Sequence, residues 1–166
     1  QALYETLYMV TVSLVIGALI GIPLGILLVV TRKNGIWSNT ILHQVLNPII
    51  NILRSIPFII LLIAIVPFTK LLVGTSIGTT AAIVPLTVYV APYIARLVEN
   101  SLLEVDDGII EAAKAMGASP LQIIRYFLLP EALGSLILAI TTAIIGLIGS
   151  TAMAGAVGGG GIGDLA

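Results

Sequence analysis

The chain has 166 residues, of which 58% are hydrophobic and 9% charged, whereas a soluble domain usually carries about 25% charged residues. So few charges exclude a soluble fold of this size and indicate a protein dissolved in a lipid bilayer. A net charge of −1 gives no electrostatic basis for binding nucleic acid, and the absence of cysteine excludes disulfides and thiolate chemistry.

Apolar runs free of acidic and basic residues predict four transmembrane helices, because a spanning helix needs about 20 apolar residues. Their predicted bounds are Thr6–Val30, Pro48–Leu72, Gly78–Leu102 and Leu133–Ala154. Helices satisfy their own backbone in lipid. The predicted fold class is therefore an all-α integral membrane protein, a polytopic helical bundle.

The first predicted helix carries a stripe of small residues. Gly17, Gly21 and Gly25 recur at every fourth position, so one face of the helix lacks side chains and a neighbouring backbone can approach closely.

Prolines interrupt the first three predicted spans. They are compatible with ordinary packing, the simpler interpretation, or with a moving hinge. They are Pro23, Pro57, Pro67, Pro85 and Pro92.

The basic residues predict the orientation of the chain in the membrane, because cytoplasmic loops are enriched in lysine and arginine. If the loops alternate, Lys70 lies on one side and all the other basic residues lie on the opposite side. The N-terminus and the glycine-rich tail are then extracytoplasmic, and the Arg32–Asn47 and Leu103–Glu131 connections are cytoplasmic. The basic residues on the cytoplasmic side are Arg32, Lys33, Arg54, Arg96, Lys114 and Arg125.

Three polar features lie before the second cytoplasmic connection, and each is interpreted separately. His43 is the only histidine, so it forms neither a metal cluster nor a catalytic triad, and we interpret it as a loop residue. Arg54 lies near the cytoplasmic end of the second helix, where snorkelling to the interface is the default and a place in a translocation path is the alternative. Arg96 and Glu99 stand three positions apart on a helix and are predicted to form an ion pair.

The connection between the third and fourth predicted spans carries strong helix signals. Asp106 or Asp107 can cap a short helix over Gly108–Met116, and Gly117 can end it. Ser119, Pro120 and Gln122 form a capping-box pattern that predicts a second helix over Pro120–Leu129, ended or bent by Pro130. Two short helices meeting at a glycine indicate either a docking element for a partner or an interfacial amphipathic helix without one.

This connection resembles the EAA loop of the permeases of ABC importers. The resemblance rests on Glu111-Ala112-Ala113, on Gly117 after three more residues, and on Leu129-Pro130, with Phe127 where that family has isoleucine. It implies a permease of the type I importer kind. Within that family, the methionine importers, which further segments of this chain resemble, have permeases of five spanning helices, and the fifth would follow the glycine-rich tail. We therefore expect the protein to continue beyond one or both ends of this chain. Residues 1–166 would form one permease domain, with the coupling loop at 104–131.

Further segments resemble the permeases of methionine importers within that family. They are Asn51–Leu62, Val73–Gly78, Ala82–Thr87, Ala95–Asn100 and Ser150–Gly158. The resemblance implies a homodimer that pairs with two ATPase subunits, receives methionine from an extracytoplasmic binding protein, and lies in a bacterial inner membrane. It implies that the chain binds no cofactor, with ATP and Mg²⁺ on the partner ATPase. Contact with that ATPase is expected at Glu111, Ala112, Ala113, Ala115, Met116, Gly117, Ala118 and Ser119.

Residues near the end of the chain are candidates for a gate. Met153 is the one bulky side chain among the small residues around Ser150, so in a dimer one methionine from each subunit could close a path, although plain packing is equally compatible.

Gly158–Gly161 lacks the lysine of a phosphate-binding loop, so the chain is not predicted to hydrolyse ATP. We expect this stretch to form an extracytoplasmic loop, either flexible, the preferred interpretation, or tightly packed.

Two other functions remain open from the sequence. A secondary transporter driven by an ion gradient would need acidic residues well inside the spanning segments, and the apolar runs lack them. An ABC permease for another small solute would share every feature of the loop, so the assignment of methionine rests on the resemblance alone.

Overall fold

The computed structural model describes residues 1–166, and these form a helical bundle without strands. Nine α-helices follow one another, with a π-helical turn at Ile124–Leu128, another at Gly155–Gly159 and a 3₁₀ turn at Ile162–Asp164. The α-helices are α1 Ala2–Thr31, α2 Thr40–Ser55, α3 Phe58–Ala64, α4 Val66–Val73, α5 Thr79–Leu103, α6 Asp107–Ala115, α7 Pro120–Ile123, α8 Leu129–Glu131 and α9 Leu133–Ala154.

Three helices are long and apolar enough to cross a membrane, and they confirm three of the predicted spans. They are α1, α5 and α9, with α9 occupying the predicted bounds and running on through the turn that ends at Gly159. The main core lies between them and is formed by side chains such as Leu86, Val90 and Leu147.

The pairing of α1 with α5 depends on the predicted glycine stripe. Gly17, Gly21 and Gly25 are buried. A methyl group added at Gly25 would lie 2.6 Å from the carbonyl oxygen of Ala95, and one at Gly21 would lie 2.5 Å from that of Ala91. The two backbones are therefore in direct contact, as expected for small residues in membrane helices.

The predicted second span, Pro48–Leu72, is wrong as a single helix. The structure places α2, α3 and α4 there, and α2 meets α3 at an angle of 102°. At most, this bent pair could form a fourth span. Apolar composition continues through the region without a gap, so hydrophobicity alone does not reveal the break.

Proline chemistry accounts for the breaks. Pro57 disfavours the helical conformation in the residue before it, and Ile56 is extended at φ −78°, ψ 121°. Ile65 leaves the helical region again, at φ −98°, ψ 11°, and Pro67 occupies the first turn of α4, where its missing N–H costs nothing. Gly74 then ends α4 in the left-handed conformation, at φ 87°.

The interpretation of His43 as a loop residue is also wrong. Asn39 caps α2, its side-chain oxygen accepting a hydrogen bond from the backbone N–H of Leu42 at 3.1 Å. The helix therefore begins at Thr40, inside the connection predicted over Arg32–Asn47. His43 lies in its first turn, with Nδ1 3.5 Å from the Thr31 hydroxyl.

A polar network joins α2 to α5. The predicted ion pair is present, with Arg96 Nη1 2.9 Å from Glu99 Oε2. The same guanidinium donates through Nη2 to the side-chain oxygen of Asn51 at 2.6 Å and to the carbonyl of Asn47 at 3.4 Å. Arg96 thereby ties the middle of α2 to the last third of α5.

The glycine-rich segment at the end of the chain is packed against the beginning of α1. The backbone N–H of Gly161 donates to the Glu5 carboxylate at 2.8 Å, and that of Ile162 donates to the Thr6 hydroxyl at 2.9 Å. Gly78 N–H donates to the Gly158 carbonyl at 2.9 Å. The tightly packed alternative is therefore the one the structure supports, and the preferred interpretation as a flexible loop is wrong.

Candidate functional site

The candidate site is the exposed elbow between α5 and α9, and its first half is α6. Asp106 caps this helix, its carboxylate accepting from the backbone N–H of Gly108 at 3.0 Å. A carboxylate is favourable there because the first N–H groups of a helix lack partners. The predicted short helix is confirmed, shifted by one residue to Asp107–Ala115.

Gly117 ends α6 as predicted. It adopts φ 80°, a conformation that glycine tolerates best. Its N–H donates to the Lys114 carbonyl at 3.0 Å, and the N–H of Ala118 donates to the Ala113 carbonyl at 3.1 Å. These two bonds are the Schellman pattern, which turns the chain sharply away from the helix axis.

The second half of the elbow begins with the predicted capping box. The Ser119 hydroxyl accepts from the N–H of Gln122 at 3.3 Å, and the Gln122 side chain accepts from the N–H of Ser119 at 2.9 Å. Pro130 does not end this helical segment, which continues through α8 to Glu131. Instead the backbone widens into a π-helical turn before Pro130, where Leu129 N–H reaches back five residues to the Ile124 carbonyl. A proline removes one α-helical hydrogen bond, and this widened turn accommodates the loss.

One face of α6 anchors the elbow and the other is free. Ala113 is completely buried, and Ile110 packs against the main core. Ala118 is half-buried. Among the predicted contact residues the rest are exposed, and most of them have small side chains. They are Glu111, Ala112, Ala115, Met116, Gly117 and Ser119. Met116, 69% exposed, is the one large apolar side chain among them.

A polar cleft separates this surface from the loop that follows α1. Arg32, Lys33 and Asn34 line one wall, while Glu111 and Lys114 line the other. The cleft shows that the two connections predicted to share the cytoplasmic side lie next to each other.

The elbow is tied to the spanning helices by a contact that the sequence did not indicate. The Ser135 hydroxyl at the beginning of α9 donates to the Glu104 carboxylate at the end of α5, at 2.8 Å. The two residues are 31 positions apart, so no local pattern relates them. This bond joins the entry and the exit of the elbow.

The predicted path residues lie outside the elbow, on α2 and α9. Ser150 is buried, and its hydroxyl donates to the Gly146 carbonyl at 3.0 Å. Met153 is 50% exposed and therefore points away from the core of the protomer. Arg54 is exposed in the last turn of α2. The structure does not gather these three side chains into one pocket within the protomer.

Comparison with known proteins relates the chain to transport proteins. Residues 10–166 match the family described as the inner membrane component of binding-protein-dependent transport systems. A probable D-methionine transport system permease of Vibrio cholerae is 53% identical over 165 residues, covering 99% of this chain and 73% of that protein. The D-methionine transport system permease of Escherichia coli K12 is 56% identical over 155 residues, covering 93% of this chain and 71% of that protein.

Solved structures give the same relation. A chain of the MetNI methionine ABC transporter in an inward-facing conformation superimposes with a TM-score of 0.95 at 57% identity, covering 97% of this chain and 74% of that chain. An amino acid ABC transporter crystallised with histidines superimposes with a TM-score of 0.79 at 22% identity, covering 99% of this chain and 73% of that chain. The second similarity concerns the fold alone.

Proposed function

Because the chain belongs to the family of inner membrane components of binding-protein-dependent transport systems, we propose that it forms the path by which methionine crosses the membrane. The chain is a permease subunit of an ABC importer with the type I fold. Methionine as the cargo is supported by relatives at 53–56% identity that are named as D-methionine permeases.

The single observation that carries the coupling role is the geometry of the elbow. A rigid helix, α6, is fixed by the burial of Ala113 and presents small exposed residues around Glu111 and Ala112. Small side chains allow such a helix to enter a groove of a partner. We therefore assign the exposed side of Glu111–Ser119 to contact with an ATP-hydrolysing subunit, which would carry the ATP and Mg²⁺.

Movement of that partner would reach the membrane through the contacts at the elbow. The capped segment from Ser119 leads into α9, and the Glu104–Ser135 hydrogen bond holds the ends of α5 and α9 together. Displacing α6 would therefore move α5 and α9 together. Two copies moving in opposite directions would alternately open the path to each side, as in other rigid-body switches.

The complete assembly follows from the same proposal. It would contain two copies of this chain, two ATPase subunits and an extracytoplasmic protein that delivers methionine. Met153 is exposed on the protomer, so it is available to meet the second copy as a gate. In the orientation predicted from the basic residues, with the N-terminus outside, the elbow would lie in the cytoplasm, where ATP is available.

The acidic residues give no support to an ion-gradient mechanism. Glu99 is committed to Arg96 in an ion pair, and Glu5 accepts a backbone hydrogen bond near the beginning of α1. Neither is a free carboxylate in the middle of a span, which a proton or sodium coupling site would require.

Replacing Gly117 with leucine tests the coupling role, and Gly74 supplies a matched control. Both residues end a helix with positive φ, 80° and 87°, and an added methyl group would meet nothing within 4 Å at either position. The left-handed conformation costs about 1–2 kcal/mol for a side chain at either site. Only Gly117 lies on the proposed contact surface.

The full-length permease would be purified with its ATPase and assayed for methionine uptake in vesicles. We expect Gly117→Leu to lose most of the co-purified ATPase and at least tenfold of the uptake, while Gly74→Leu keeps both. Equal behaviour of the two variants would contradict the coupling role, because the cost would then come from backbone strain alone.

A further inference from the structure

The corner between α2 and α3 exposes polar backbone and a charge on the surface of the protomer. Two helices meet there at 102°, and the extended residue Ile56 separates them. Arg54, Ser55 and Pro57 around the corner are all exposed. In a spanning protein, non-helical backbone is tolerated only where protein covers it or where it lines a water-filled cavity.

The depth of this corner follows from its contacts with α5. Asn51 on α2 accepts a hydrogen bond from Arg96, which lies seven residues before the end of α5 at Leu103. Seven residues of helix measure about 10 Å. Thr31 at the end of α1 contacts His43 near the beginning of α2, so α2 runs back from that membrane face. Arg54 is one turn beyond Asn51, which places it about 15 Å from that face, near the middle of a hydrocarbon core about 30 Å thick.

Arg54 is also the one charge in this region without a partner in the protomer. Its guanidinium makes no hydrogen bond or ion pair with another residue, whereas the neighbouring Arg96 and Glu99 neutralise each other. A guanidinium in the middle of the bilayer is costly when it faces lipid, so such residues face water-filled cavities or charged ligands.

We propose that the Arg54–Pro57 corner lines a water-filled path and that the Arg54 guanidinium binds the carboxylate of the transported amino acid. This inference rests on the proposed function and names the group that recognises the cargo inside the membrane. A guanidinium offers two parallel N–H groups to a carboxylate, which gives both strength and a fixed orientation. A contact to the carboxylate alone does not sense the configuration at the α-carbon, so both enantiomers of methionine would satisfy it.

The first experiment tests whether water reaches the corner. This chain has no cysteine, so Ser55→Cys supplies a single thiol at the corner once any cysteine elsewhere in the full-length protein is changed to serine. Leu19→Cys is the control, because Leu19 lies in the middle of α1 and is 71% exposed on a side proposed to face lipid. A membrane-impermeant maleimide would be added to inside-out vesicles that contain the full complex.

We expect the thiol at position 55 to react at least tenfold faster than the thiol at position 19, and methionine to slow its reaction. Equal rates would overturn the proposal, since they would place the corner in lipid or against a second copy of the chain. A fast rate that methionine leaves unchanged would overturn the assignment of the cargo to this corner.

The second experiment tests the charge. Arg54→Gln and Arg54→Lys would be compared with Lys70→Gln, which removes an exposed basic residue in the last turn of α4. The readout is the number of methionine molecules imported per ATP hydrolysed by the reconstituted complex with its binding protein. Losing a hydrogen-bonded contact to a charged group typically costs about ten- to a hundredfold.

We expect Arg54→Gln to lower that ratio at least tenfold, Arg54→Lys to restore part of it, and Lys70→Gln to leave it unchanged. A normal ratio for Arg54→Gln would overturn the proposal.

If the unmodified complex imported no methionine, the proposed function would fail instead, and the cysteine labelling would still decide whether the corner is hydrated. If Arg54→Gln failed to assemble, the slowing of Ser55→Cys labelling by methionine would decide the matter.

Discussion

At the scale of single residues, the contact between α1 and α5 depends on the absence of side chains. The stripe of Gly17, Gly21 and Gly25 is visible in the sequence because its spacing follows the helix repeat, so a close contact could be predicted. Its partner could not, since any of the other helices might have filled the groove. The structure supplies that partner as the segment from Val90 to Val98 of α5.

Gly21→Ala should destabilise the permease, and Gly134→Ala should not. The new methyl group at Gly21 would lie 2.5 Å from the Ala91 carbonyl oxygen, so the helices must separate, whereas nothing lies within 4 Å of a methyl group at Gly134. Overpacking of this kind costs about 1–3 kcal/mol, while alanine favours an exposed helix by up to about 1 kcal/mol. The recovery of monodisperse protein after heating in detergent would measure both, and a Gly21→Ala midpoint at or above that of Gly134→Ala would contradict the prediction.

Arg96 likewise makes one contact that its sequence spacing predicts and two that no local pattern predicts. Its pairing with Glu99 follows from a spacing of three residues on one helix, and the structure confirms it at 2.9 Å. Its bonds to Asn47 and Asn51 cross 49 and 45 positions of the sequence, so no local pattern contains them. Asn47 and Asn51 are polar positions on α2, but nothing in the sequence relates them to Arg96.

At the scale of elements, the elbow was predictable and the second span was not. Asp106, Gly117 and the Ser119–Gln122 box act within four residues of their partners, so the sequence alone indicates where each short helix begins and ends. The run from Pro48 to Leu72 satisfies the length rule for one span, although it contains Pro57 and Pro67. Hydropathy measures solubility in lipid and carries no information about the direction of the chain, which turns by 102° between α2 and α3.

Pro57→Ala should impair transport without preventing assembly with the ATPase. Alanine removes the restriction on Ile56, so α2 can continue in a straight line and the corner is lost. Pro48→Ala is the control, because Pro48 is exposed within α2 and alanine there would only improve the helix. Uptake of methionine and co-purification of the ATPase measure the two effects, and normal uptake by Pro57→Ala would show that the corner is dispensable.

At the scale of the whole molecule, the two ends of the chain close one surface of the bundle. Glu5 and Thr6 of α1 receive the backbone N–H groups of Gly161 and Ile162. Gly161 needs to be glycine because φ is 79° and because a methyl group there would lie 2.6 Å from the Thr6 hydroxyl oxygen. The sequence suggested a flexible tail since glycine content alone does not distinguish a loose segment from one in backbone contact.

Glu5→Ala should destabilise the bundle, and Glu5→Gln should recover much of the loss. Alanine leaves the Gly161 N–H without its acceptor, while the glutamine amide oxygen can still accept it. A hydrogen bond to a charged group contributes about 1.5–3 kcal/mol. Asp164→Ala is the control, since that exposed carboxylate accepts no hydrogen bond. Thermal stability in detergent would measure the set, and equal midpoints for Glu5→Ala and Asp164→Ala would contradict the prediction.

The contact between Glu5 and Gly161 can form only after the ribosome has synthesised the residues between them. The two residues are 156 positions apart, and ribosomes add about 5–20 residues per second. Glu5 therefore waits about 8–30 s before its partner has been made. During that interval α1 is present in the nascent protein while its carboxylate lacks the bond to Gly161. This closure therefore forms only after α5 and α9 have been synthesised and are available to receive α1.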